Sequence, residues 1–229
     1  KVCGLPHELG STGFGVAHAA AVTVEVAGFD IKDMTVAIDG FGNVGEFVFR
    51  HLQEMGAKIV AVSGSRGGIF DKNGLNLKIL LELKSKNKPI TEYPTGKKIK
   101  HSDIFELPVD ILIPASVTDV INEGNKDKIQ AKIIVEGANI PMKENIENEL
   151  FQKGIVIVPD FVANAGGVIS SYAEYRGYDS KKMFKLVEDK IRECAKAVMK
   201  ESIKEKINPR EVGMQIAKER IEKVQKNQA

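Results

Sequence analysis

The chain has 229 residues, 33 of them basic and 31 acidic, for a formal net charge of +2. So even a balance provides no large field for nucleic acid or an anionic membrane, and no apolar run approaches the ~18 residues that cross a bilayer. The first residues carry none of the charged, apolar and cleavage regions of a signal peptide, and Cys3 and Cys194 lie far apart with no Cys or His at metal-ligand spacing, so a cytoplasmic protein with ordinary thiols and no metal is expected. The length fits one α/β domain with appended helices.

In chain order, Ala17 to Ala27 is rich in Ala and Val and stops at Gly28, the pattern of a buried helix with a glycine C-terminus. Short apolar runs bounded by Gly, Pro, Asp or Asn predict strands at Thr35–Asp39, Lys58–Val62, Ile111–Ile113, Ile133–Glu136 and Val156–Val158. Helical or mixed segments separate them. This alternation predicts a Rossmann-like α/β fold: a mostly parallel, doubly wound sheet whose ligands sit at the carboxyl ends of the strands. The segment from Ile69 to His101, with the turn Asp71-Lys72-Asn73-Gly74 and the lysines Lys84, Lys86 and Lys88, reads as a solvated excursion. Beyond Asn164 the chain turns helical. Lys181 to Lys206 aligns Phe184, Val187, Ile191, Cys194 and Val198 on one face, Asn208-Pro209 breaks the run, and Arg210 to Lys226 resumes it with Val212, Ile216 and Val224, which need a partner surface. The expected division is a dinucleotide-binding domain over 1–180 and C-terminal helices over 181–229.

The most informative stretch joins the strand 35–39 to Gly40-Phe41-Gly42-Asn43-Val44-Gly45 and then to a helical pattern in which Phe47, Val48, Leu52 and Met55 recur. In such a strand-turn-helix the first glycine permits the tight turn, the second lets the backbone approach a pyrophosphate, and the third lets helix and strand pack closely. The diphosphate then rests on the helix N-terminus. A dinucleotide fold selective for NAD commonly places an acidic residue about 20 positions further on, whereas this chain reads Ser63-Gly64-Ser65-Arg66. Two hydroxyls and a guanidinium donate to a 2′-phosphate that a carboxylate would repel, so NADP is expected ahead of NAD.

Together Ser11-Thr12-Gly13-Phe14-Gly15-Val16, the glycine turn, Ser65-Arg66-Gly67-Gly68-Ile69, Glu136-Gly137-Ala138-Asn139 and Asn164-Ala165-Gly166-Gly167-Val168 closely resemble the glutamate dehydrogenases, over nearly the whole chain. The wider amino-acid dehydrogenase superfamily, with its leucine, valine and phenylalanine enzymes, is similar less closely. The resemblance implies reversible oxidative deamination of L-glutamate to 2-oxoglutarate and ammonia, and a homo-oligomer that is usually hexameric. It places Asn139 and Asn164 beside the nicotinamide ribose and amide, Thr12 among the cofactor-binding residues, Ala115 and Ser116 along the adenosine side, and Val168 and Ser171 around the substrate γ-carboxylate. In these enzymes a preceding substrate domain supplies the catalytic lysine and aspartate, and nothing here matches it, so no catalytic residue is assigned. The arginine usual a few residues before Thr12-Gly13 is also missing, its place falling near Glu8 or Leu9. Read without the resemblance, Asn139 and Asn164 are turn residues and Ser171 an ordinary helix position. His7, His18, His51 and His101 read as surface or structural, and Asp160 and Glu174 as capping or solvated carboxylates. The alternatives are a branched-chain or aromatic amino-acid dehydrogenase, or a nicotinamide-binding sensor or assembly subunit without catalysis.

Overall fold

The computed structural model describes residues 10–226; Cys3, His7 and the stretch at Glu8 and Leu9 lie outside them. After α1 (Ser11–Val26) come β1 (Thr35–Asp39), α2 (Asn43–Glu54), β2 (Lys58–Gly64), β3 (Gly67–Phe70), α3 (Leu77–Ser85), β4 (Lys97–Ile99) and β5 (Ile111–Pro114). There follow β6 (Ile133–Val135), α4 (Glu144–Gln152), β7 (Val156–Val158), α5 (Asp160–Ala163), α6 (Gly166–Tyr175), α7 (Ser180–Glu205) and α8 (Pro209–Lys226). The strands form one sheet in the order β4-β3-β2-β1-β5-β6-β7. From β2 to β7 all neighbours are parallel, and β3 and β4 are antiparallel additions at one edge.

The strands read as continuous apolar runs because both sheet faces are covered. Val36, Ile38, Ile111, Ile113, Val135 and Val158 meet α1, α2 and α7 on one face, while Ala37, Val60, Leu112, Ile134 and Ile157 meet Ile104, Phe105, Ile121 and α4 on the other. Helix α1 begins at Ser11, so Ser11–Val16, read as a motif, is its first half. It is buried on nearly all sides between α2, α6 and α7. It ends as expected: Gly28 takes φ +85° and donates to the Glu25 carbonyl, and Phe29 donates to the Val24 carbonyl.

The segment 69–101 differs from expectation. It adds β3, α3 and β4 to the sheet edge, burying Ile69 and Leu80 completely and Tyr93 and Ile99 nearly so. Its apolar residues are spread thinly among lysines in strands of four and three residues, too short for a period to emerge. Helix α7 buries Met183, Val187, Ile191, Ala195, Val198 and Met199 in the same core as α1. In α8 only Pro209, Val212 and Gly213 are buried, whereas Met214, Ile221 and Val224 are exposed, so the stripe that needs a partner finds one only near the start of the helix.

What anchors α8 is ionic. The Arg210 guanidinium donates from Nε to Glu147 at 2.6 Å, from Nη1 to Asp160 at 3.2 Å and from Nη2 to Glu136 at 2.9 Å. Asp160, read as a capping or solvated carboxylate, is buried in this cluster. Glu136 and Glu147 are fully buried, and each leaves Oε1 without a partner. Three carboxyl groups around one cation out of water favour retention of a proton: burial first, then the neighbouring Glu147, pushes Glu136 up to about 8, and burial raises Glu147 as well.

Two predictions follow from these contacts. The unfolded chain loses the Glu136 proton near its ordinary value of 4.5 and the folded chain keeps it to about 8, so stability falls as pH rises through that window. His18, pushed down by burial from 6.5 to about 4, works in the opposite sense below 6.5. Between pH 6.5 and about 8 the carboxyl cluster therefore dominates: the melting temperature should fall there, Glu136→Gln should flatten the fall, and a rise with pH would contradict the account. The second concerns Gly45, where an added Cβ would strike the Gly40 carbonyl oxygen. Gly45→Ala should lower unfolding free energy by about 1–3 kcal/mol in denaturant titrations, because backbone rather than a flexible side chain must give way.

Candidate functional site

The carboxyl ends of β1, β2, β5 and β6 converge on the glycine turn. Gly40 leaves β1 with φ +98°, its N–H donating to the Ser63 carbonyl at 3.1 Å, and a Cβ there would lie 2.9 Å from Cα of Ser116. A residue other than glycine is thus excluded twice, by backbone conformation and by space. Gly42 caps α2, and the Gly45 contact presses the first turn of that helix onto the end of the strand.

Beneath the turn lies Asp39, the last residue of β1, with no exposed surface. A buried carboxylate needs donors, and three converge on it. Ser63 Oγ donates to Oδ1 at 2.7 Å, Ser116 Oγ donates to Oδ2, and His101 Nε2 stands 2.6 Å from Oδ1. They come from the end of β2, the loop after β5 and the turn after β4, so one carboxylate ties three chain segments to the glycine turn.

Two clefts flank this turn and share Ala115, Ser116 and Val117 as their common wall. The first, of about 480 Å³, is bounded by Gly40, Phe41, Gly42, Gly64, Ser65 and Arg66 on one side and by Lys84, Asn87, Lys88, Ile90 and His101 on the other. It is the cationic one. Lys84 pairs with Glu46 at 2.7 Å and Lys88 with Glu92 at 2.9 Å, while Arg66 donates to the neutral carbonyl of Asn87 at 3.1 Å. The second, of about 570 Å³, is lined by Thr12, Val44, Thr118, Gly137, Ala138, Asn139, Asn164, Gly167, Val168 and Ser171 besides the shared wall. Among the described residues, no side chain that titrates near neutrality lines it. Asn164 Nδ2 donates to Asn139 Oδ1 at 2.8 Å, joining the loop after β6 to the end of α5.

Of the residues singled out in the sequence, Phe41, Gly42, Gly64, Ser65 and Arg66 line the first cleft, Thr12, Val44, Asn139, Asn164, Val168 and Ser171 the second, and Ala115 and Ser116 both. Ser63 and Gly45 face neither: Ser63 is wholly buried with its hydroxyl on Asp39, so its expected donation to a 2′-phosphate is corrected to support from below. Asn43 opens α2 and is exposed. Ser171 is exposed and donates to the Gly167 carbonyl at 3.2 Å, and Val168 is 77% exposed. Sequence reasoning missed Asp39, His101 and the wall from Lys84 to Ile90. A carboxylate closing an otherwise apolar strand was the available signal for Asp39; the others depend on how the 69–101 segment folds back. Cys194 is half-buried, and burial raises its thiol, which makes it a poor nucleophile.

The sequence pattern of the glutamate/leucine/phenylalanine/valine dehydrogenases matches residues 4–229. A glutamate dehydrogenase of Aeropyrum pernix is 48% identical over 76% of this chain and 43% of its own length, and an NADP-specific glutamate dehydrogenase of Saccharolobus shibatae is 43% identical over 75% and 42%. The chain thus spans less than half the length of these curated relatives. Among solved structures, a glutamate dehydrogenase of Peptoniphilus asaccharolyticus superposes with a TM-score of 0.78 at 27% identity, covering 96% of this chain and 53% of that one. The hetero-hexameric glutamate dehydrogenase of Thermus thermophilus, at 23% identity and TM-score 0.83 over 98% and 56%, shares the fold. With nearly its whole length matched, the chain belongs to the glutamate/leucine/phenylalanine/valine dehydrogenase family.

Proposed function

We propose that this chain is the coenzyme-binding portion of a glutamate dehydrogenase, holding NADP across the two clefts for reversible conversion of L-glutamate to 2-oxoglutarate and ammonia. The observation that carries the reading is the pair of clefts meeting at the glycine turn, with the N-terminus of α2 between them. The pyrophosphate rests at the positive N-terminal end of that helix, the adenosine half lies in the cationic cleft, and the nicotinamide half lies against Asn139 and Asn164. A carboxamide needs both a donor and an acceptor, which an asparagine side chain provides. The nicotinamide supplies the hydride chemistry, and the protein supplies position and electrostatics.

NADP is favoured because Arg66 meets only a neutral acceptor among its described contacts, leaving its charge available to a 2′-phosphate, and because no carboxylate among the described residues lines the first cleft to repel one. The acid–base groups of the reaction are assigned to the substrate-binding portion of the full enzyme, since among the described residues the second cleft holds no titratable side chain near neutrality to move a proton. Glutamate as substrate is supported by kinship to the curated glutamate dehydrogenases, assembly as a homo-oligomer rests on the resemblance of the sequence motifs alone, and Ser171 with Val168 would sit at the substrate end of the cleft.

Titration calorimetry at matched ionic strength should show the 229 residues binding NADP more tightly than NAD, with no glutamate-dependent reduction of cofactor. Arg66→Ala should weaken NADP roughly tenfold and NAD little, the size expected for a charge-assisted hydrogen bond. Gly64→Asp has room, its nearest neighbour being Ile90 Cδ1 at 3.7 Å, and should shift preference toward NAD. Equal effects of Arg66→Ala on both cofactors would show that Arg66 does not read the phosphate; turnover by these residues alone would place the acid–base groups within them.

A further inference from the structure

The loop from Glu136 to Ile140, which carries Asn139 into the second cleft, is held in an unfavourable conformation. Ile140 has φ +48°, a region that a β-branched residue rarely enters, and its side chain is 56% exposed, so no core packing offsets the strain. Two hydrogen bonds hold it: its N–H donates to Asp160 Oδ2 at 2.9 Å, and its carbonyl accepts from the Asp119 N–H at 3.0 Å. The other oxygen of Asp160 accepts from Arg210 and from the Phe161 N–H. At the opposite end of the loop, Glu136 Oε2 accepts from the Asp160 N–H at 2.7 Å and from Arg210 Nη2 at 2.9 Å. One guanidinium therefore grips the residue that begins the loop and the residue that tethers its end. Asp160 also begins the turn that leads to Asn164, the partner of Asn139.

A need for stability alone does not account for this arrangement. A buried ion cluster is often no better than apolar side chains of the same volume, and this one leaves two carboxylate oxygens unpartnered. What it provides that apolar packing would not is direction, by fixing where two loops stand relative to each other. We propose that Arg210 is a positioning residue for the nicotinamide half of the cofactor site, holding Asn139 and Asn164 in place through Asp160 and Glu136. The inference rests on the cofactor reading given above.

The test separates the halves of the cofactor. NADPH and NADH, with their adenosine halves adenosine 2′,5′-bisphosphate and AMP, are titrated into the wild-type chain and into Arg210→Met, and the tighter wild-type pair is compared. Arg210→Met should weaken the dinucleotide on the order of tenfold, as release of a strained residue would, while its adenosine half changes less than about twofold. Asp160→Asn, close in shape, should reproduce the selective loss if Arg210→Met does not fold. Adding Ile140→Gly to Arg210→Met should restore dinucleotide affinity, because glycine holds a positive φ without a tether. A wild type that binds neither pair overturns the cofactor reading and this inference with it. Binding by the wild type combined with equal losses on both halves, no loss, or no rescue by glycine overturns the positioning role alone.

Discussion

The closeness of α2 to the end of β1 is the constraint on which the rest of the site depends. Gly45 lies against the Gly40 carbonyl with no room for a methyl group, so the helix N-terminus is fixed directly over the strand end. That contact decides where the clefts are, since they are the spaces left on either side of the pinned helix. Asp39 reinforces it from below. Its carboxylate, fully buried at the last position of the strand, would be costly without donors, and of its donors Ser116 and His101 line the clefts while Ser63 precedes the cleft residue Gly64. The floor of the site is thus a small hydrogen-bonded hub that ties the ends of β1 and β2 to the loop after β5 and the turn after β4.

The two clefts differ in chemistry although they share a wall. The first is ringed by Arg66, Lys84, Lys88 and His101, the second by amides, hydroxyls and small apolar groups. In the proposed reading this division follows the ligand, with charges placed where phosphates lie and neutral groups where hydride moves between carbon atoms. A nicotinamide that changes charge on reduction is best served by fixed dipoles that need not reorganise. Among the described residues the second cleft has no acid or base, so in the proposed reading it forms one wall of an active site.

The sequence made the centre of the sheet legible and left its periphery obscure. The parallel strands β1, β2, β5, β6 and β7 were readable because each is buried on both faces and so appears as an uninterrupted apolar run. The glycine turn was readable because its three glycines serve three local requirements. Strands β3 and β4 were not, because Gly67-Gly68-Ile69-Phe70 looks like a loop until Ile69 is seen to be buried. Ser63 was legible as a polar residue at a strand end, but whether its hydroxyl turns toward cofactor or toward Asp39 is a question of tertiary packing. Arg210 was hidden most completely: its partners stand 50, 63 and 74 residues away in sequence, and a cation in the first turn of a polar helix ordinarily faces water.

That hidden residue also changes the meaning of α8. The helix exposes Met214, Ile221 and Val224 and is buried mainly at its first residues, so by apolar burial alone it is weakly held. Arg210, its second residue, places the firmest attachment of α8 on the loops that carry Asn139 and Asn164. A shift of α8 is transmitted through Arg210 to Asp160 and so to the strained Ile140, while the strands are locked by packing on both faces. A close-packed sheet resists small displacements, whereas a loop held in a left-handed conformation by two hydrogen bonds has a relaxed state nearby. In the proposed enzyme, the geometry offered to the nicotinamide is consequently tied to the position of α8 through one guanidinium.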